Sequence, residues 1–155
     1  MIPIDLNSLF HDSLDTFKAF DNLDVESSGA NQERFPSSVW QILNHLIIWQ
    51  EYQLKILRHE KPEPDITEVD TWIKEKMPLS KEALQLAVEQ FKRQIQLIKA
   101  EIAKLQSVSE YLHNRVNTIQ DLTLHLSFHL GEVVLIRRIQ GSYPMPHHMK
   151  EFLAE

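Results

Sequence analysis

At 155 residues the chain has the length of one domain, expected to span 1–155, that buries roughly two-thirds of its unfolded surface and needs neither disulfide nor metal merely to fold. Its net charge of −6, from 22 Asp and Glu against 16 Lys and Arg, leaves no basic footprint for a phosphate backbone and argues against a nucleic-acid partner. With Cys 0, disulfides, zinc–thiolate sites and a cysteine nucleophile are excluded, so any thiol chemistry must use a thiol brought by a substrate.

The hydrophobic pattern predicts an all-α fold of four helices. Helix one is expected from about Asp5 to Asn22, with Leu6, Leu9, Phe10, Leu14, Phe17 and Phe20 on its apolar side, and Asp24 to Phe35 as a loop. Pro36-Ser37-Ser38 opens helix two, either serine being able to cap it, and the helix runs to about His59 before Pro62 and Pro64. Glu63 to Met77 reads as a long crossover between helices two and three, with a short helical turn around Trp72. Ser80 caps helix three, where Leu84, Ala87, Phe91, Ile95, Ile98, Ile102 and Leu105 recur at near-heptad spacing. Helix four is expected to start at Thr118, with Asp121 completing a capping box, and to stop at Gly141 before Pro144. The short link Ser109 to Asn117 would make helices three and four antiparallel neighbours, and the four amphipathic segments together predict a four-helix bundle. No apolar run is long enough to span a bilayer, and Met1-Ile2-Pro3-Ile4-Asp5 lacks the regions of a signal peptide, so a cytoplasmic protein without membrane partners is expected.

Three histidines stand where a packed helix should carry leucine. His125 and His129 are one turn apart and fall inside the stripe Ile119, Leu122, Leu126, Val133 and Ile136. His45 lies in the stripe Ile42, Leu46, Trp49, Gln53 and Ile56 of helix two. One inward histidine is ordinarily a hydrogen-bonded core residue. Three at similar depth in a leucine-rich interior point to a shared divalent cation, which satisfies three acceptor nitrogens at once. Zinc, nickel, iron and manganese all suit such a site. His11, His59, His113, His147 and His148 lack this setting and are expected at the surface. Glu132, three residues after His129, is a candidate to orient a ligand, fill a fourth position or act as a catalytic base. Arg137 and Arg138 suit the helix dipole, and Trp49 either fills the core or walls the site.

Two stretches, SSVWQILNHLIIWQEYQL and TLHLSFHLGEVVLIRRIQGSYP, resemble the DinB-like metalloproteins, which include the bacillithiol transferases and mycothiol-dependent maleylpyruvate isomerases. The resemblance implies a four-helix bundle with a long crossover, holding a divalent metal by His45 from helix two and the pair His125 and His129 from helix four. Glu132 departs from the glutamine many relatives carry after the glycine, and adds negative charge near the cation. Three neutral histidines leave positions open for a small-molecule substrate. A low-molecular-weight thiol held there becomes a nucleophile for an electrophilic carbon. The alternatives are metal-dependent hydrolysis, with Glu132 taking the proton, and a non-catalytic metal-binding helical interaction protein. The exposed helix faces are compatible with a homodimer, although no sequence feature identifies its interface.

Overall fold

A computed structural model describes residues 5–29, 34–105 and 110–154, and these fold into helices and turns with no strand among the described residues. Three long helices dominate: α3 (Val39–Leu57), α4 (Lys81–Ala103) and α5 (Leu112–Ile139). Short helices α1 (Leu6–Leu9) and α2 (Val25–Ser28) precede them, and α6 (Met149–Ala154) follows. None is long and apolar enough to cross a membrane among the described residues.

Local chemistry sets the starts of α3 and α4. Ser38 Oγ accepts from the Gln41 amide at 3.1 Å while Gln41 Oε1 accepts from the Ser38 amide at 3.2 Å, a reciprocal capping box. Ser80 Oγ accepts from the Ala83 amide at 3.1 Å and starts α4 in the same way. At the end of α5, Gly141 takes φ 73°, and the Gly141 and Ser142 amides donate to the carbonyls of Arg138 and Arg137. Those two bonds complete a Schellman stop, which glycine makes without Cβ strain.

Two expected elements differ. Helix one stops at Leu9 instead of Asn22, and Phe17, Lys18 and Asn22 take φ near 50° (49°, 52° and 55°), which no right-handed helix contains. Side chains compete for the backbone here: Ser13 Oγ donates to the Phe10 carbonyl at 2.8 Å, and Asp15 Oδ1 accepts from the Phe17 amide at 2.8 Å. The far end of the chain fixes the result. Tyr143 Oη donates to the Phe17 carbonyl, Arg137 Nη1 to the Ala19 carbonyl at 2.6 Å, and Lys18 Nζ to the Phe152 carbonyl at 2.9 Å. Arg137 is therefore more than a cation suited to the dipole, since its guanidinium is buried and also donates to the Ser142 carbonyl at 2.6 Å.

Helix α5 begins at Leu112, so Thr118 is no cap; its hydroxyl donates to the Asn114 carbonyl at 2.9 Å inside the helix. The expected link thus shrinks: Leu112 to Asn117 is helical, while Ser109 lies outside the described residues. In the expected loop, Val25–Ser28 forms α2 on an Asp24 cap, and residues 30–33 lie outside the described residues.

Polar contacts fix the helix directions. Gln94 Nε2 donates to the Ile47 carbonyl at 3.2 Å and Arg58 Nε meets Glu101 Oε1 at 3.5 Å, so α3 and α4 run parallel. Arg115 Nη2 donates to the Glu101 carbonyl at 3.0 Å, so α5 starts where α4 ends and runs back along the molecule. Helix α3 packs along both partners, whereas α4 and α5 keep their backbones further apart. The core follows from that arrangement: Ile42, Leu43, Leu46 and Leu54 of α3 are buried with Phe91, Ile95 and Ile98 of α4 and Ile119, Leu122 and Val133 of α5. Leu14, Ala19 and Phe20 of the N-terminal segment complete it, with the Phe20 ring edge-on to Phe91 at 4.8 Å.

Candidate metal centre

Antiparallel α3 and α5 bring His45 opposite His125 and His129, each pair of ring centroids lying between 4.6 and 4.9 Å apart. One ring nitrogen from each of the three falls within 4.8 Å of the others, the one such donor group among the described residues. His45 and His129 are buried and His125 is partly so. His45 Nε2 and His125 Nε2 are 3.0 Å apart.

Hydrogen bonds decide which nitrogens are available. The Thr71 hydroxyl donates its single proton to the Glu68 carbonyl at 2.6 Å, so at 2.7 Å from His45 Nδ1 its oxygen must be the acceptor. His45 therefore carries its proton on Nδ1 and presents a bare Nε2 lone pair to the cluster. Glu132 Oε2 lies 2.5 Å from His129 Nδ1 and, when ionised, accepts the proton that this nitrogen carries. Orientation of a ligating imidazole through its remote nitrogen is the usual support of a histidine metal site.

Two of the rings are also held neutral. Burial first, then the neighbouring imidazoles His129 and His125, push the His45 pKa down to about 4. Burial and then His129 push His125 down to about 4 as well. At neutral pH both are uncharged, and across the 3.0 Å contact His125 Nε2–H can donate to the bare His45 Nε2, a proton that a cation bound by the two nitrogens would displace. The residues present therefore fit a divalent metal. With imidazole donors, burial and ring-orienting hydrogen bonds in agreement, the three histidines could hold one ion.

Aromatic side chains wall the cluster. Trp72 stacks on His45 with ring centroids 4.0 Å apart and planes 14° from parallel. Trp49 stands edge-on to His125 at 6.0 Å, and Phe128 to His129 at 5.0 Å. Of the sequence expectations, the structure brings His45, His125, His129, Glu132 and Trp49 together. His11 pairs with Asp12, His113 with Asn117, and His147 with His148, all away from the cluster. The sequence reading missed Glu68 and Thr71. They lie on a 3-10 turn, Glu68–Thr71, between α3 and α4, and the only signal for them was the helical turn expected around Trp72.

Searches of curated proteins and of solved structures found no match. The family model of the DinB superfamily matches residues 14–132, a span that starts in the buried N-terminal segment, takes in all three histidines and ends on Glu132. That match covers most of the chain, which therefore belongs to the DinB superfamily.

Proposed function

We propose that this protein is a metal-dependent enzyme that transfers a low-molecular-weight thiol to an electrophilic carbon, with His45, His125 and His129 as metal ligands. The observation that carries the metal reading is the convergence of one nitrogen from each ring within 4.8 Å, with Thr71 and Glu132 each holding the Nδ1 of a ring, those of His45 and His129. A bound divalent cation supplies Lewis acidity, which lowers the pKa of a thiol or water at an open position. Three imidazoles leave such a position, and the absence of cysteine assigns the thiol to the substrate side. In the transfer the thiol proton leaves to solvent, the sulfur forms a bond to the electrophile's carbon, and the leaving group departs with the electrons of the bond it breaks. Glu132 enters as a positioning residue, accepting at His129 Nδ1 rather than touching the substrate. Trp72, Trp49 and Phe128 offer apolar faces to an organic substrate beside the rings.

The architecture we read for this function is a four-helix bundle in which residues 5–22, mostly turns, replace a full first helix and residues 58–80 cross over between parallel α3 and α4. The bound metal is one of zinc, nickel, iron or manganese, and the protein works in the cytoplasm. The test is to mix metal-loaded protein with a low-molecular-weight thiol and an aryl halide. Loss of thiol with one equivalent of halide and thioether supports transfer; hydrolysed electrophile with the thiol intact supports a hydrolase instead.

We also infer a homodimer. Leu124, Phe128, Leu135 and Ile139 are at least half exposed and share one side of α5. Their spacing along the helix is symmetric, so an antiparallel second copy places Leu124 against Ile139 of the partner subunit and Phe128 against Leu135 of the partner subunit. Gly131 sits at the centre with no atom within 4 Å of where a Cβ would stand, which allows close approach of two helices.

A further inference from the structure

Glu68 places a carboxylate oxygen 3.8 Å from His45 Nε2, the nitrogen that faces the other two histidines. The side chain is 63 % exposed while the imidazole is fully buried, so the carboxylate lies between the ring cluster and solvent. Its position is built by several contacts. Trp72, stacked on His45, donates from Nε1 to Glu68 Oε1 at 3.1 Å. The Glu68 carbonyl takes the Thr71 proton and so fixes the His45 tautomer. The turn itself is braced at its start, where Asp70 Oδ2 accepts from the Thr67 amide at 2.9 Å and from the Thr67 hydroxyl at 2.7 Å. No hydrogen bond reaches Glu68 Oε2 among the described residues, which leaves that oxygen's lone pairs for another acceptor role.

We propose that Glu68 is a fourth protein donor to the divalent cation held by His45, His125 and His129, reaching it from the 3-10 turn between α3 and α4. This rests on the three-histidine reading. Glu68 stands just outside the group of nitrogens within 4.8 Å of one another, and its exposed side chain has room to turn inward. Its charge acts on both His45 and His125 in the direction that favours positive charge among the rings. Chemically, a carboxylate neutralises one unit of the cation's charge and adds a hard oxygen to a nitrogen site, which widens the range of acceptable metals toward iron and manganese. By contrast Glu132 spends its hydrogen-bonding oxygen on His129 Nδ1, the remote side of the ring. The two carboxylates thereby divide the work: Glu132 orients a ligand, and Glu68 adds one oxygen donor while a five- or six-coordinate ion keeps a position for the substrate thiol.

The test uses Zn2+ affinity by competition with a chromophoric chelator, and the visible absorption of the Co2+ form, which reports coordination number and donor set. Glu68→Gln keeps the side-chain shape and the backbone carbonyl that holds Thr71. It is expected to weaken Zn2+ binding at least about tenfold and to alter the Co2+ spectrum, whereas Glu63→Gln on the same segment leaves both unchanged. Trp72→Phe, which keeps the stacked ring but removes the donor to Glu68, should retain the wild-type Co2+ spectrum. Affinity in Glu68→Gln within about twofold of wild type overturns the proposal. So does weakened binding with an unchanged Co2+ spectrum, which would make Glu68 a through-space charge only. If wild type itself binds neither ion, the three-histidine reading has failed; if His45→Ala abolishes binding while Glu68→Gln does not weaken it, only the fourth donor has failed.

Discussion

Thr71 shows how a single hydroxyl can set the chemistry of a buried ring. Its oxygen is the acceptor for His45 Nδ1–H, so replacing it with valine, a similar shape without that acceptor, frees the ring to take the wrong tautomer. Thr71→Val is expected to cost about 10- to 100-fold in metal affinity while leaving helix content unchanged, as read by chelator competition and circular dichroism. Glu132→Ala should cost a similar factor through His129, and Glu132→Gln less, since the amide oxygen can still accept. The three histidines were legible in the sequence because a polar ring inside an apolar helical stripe betrays its direction from its neighbours alone. Glu68 and Thr71 were not, because their roles depend on where the segment after α3 crosses it, and no local periodicity encodes that approach. Glu132 was legible as a nearby carboxylate from its i+3 spacing to His129, but which ring atom it would meet was not.

At the scale of elements, Glu101 ties three helical segments at one end of the molecule. Its buried carboxylate meets Lys104 at 2.8 Å, Arg115 at 3.4 Å and Arg58 at 3.5 Å. Burial pushes its pKa up, but the bonds from Lys104 and Arg58 outweigh that and lower it below the ordinary glutamate value. A carboxyl with a depressed folded pKa binds fewer protons folded than unfolded, so its stabilisation is present above the unfolded pKa and is lost as pH falls through the folded one. Glu101→Gln should therefore be less stable than wild type at pH 7, by about 1–2 kcal/mol given its partly exposed partners, with the deficit shrinking below about pH 4. Denaturant unfolding at the two pH values measures it. Helix starts were legible where a serine side chain does the capping, at Ser38 and Ser80, and Ser38→Ala should lower stability by about 1 kcal/mol. Thr118 misled because a hydroxyl can bond back to a carbonyl four residues earlier as readily as it caps. Helix one misled because Tyr143 and Arg137 hold its carbonyls, and the Phe152 carbonyl holds Lys18, from far along the chain, and periodicity cannot register such contacts.

For the whole molecule, the outward face of α5 bears on assembly and the inward face on metal. Leu135→Glu puts a charge in the middle of the apolar stripe without touching a histidine, so light scattering should show a dimer become a monomer with metal content unchanged; a wild-type monomer would contradict the pairing. The central claim is the shared cation, and the most direct measurement is elemental analysis of the protein as purified, beside His45→Ala, His125→Ala, His129→Ala and His147→Ala. One equivalent of a divalent metal in wild type and in His147→Ala, with a sharp loss in each of the other three, is the expected result. Equal metal content in wild type and in His125→Ala would contradict it.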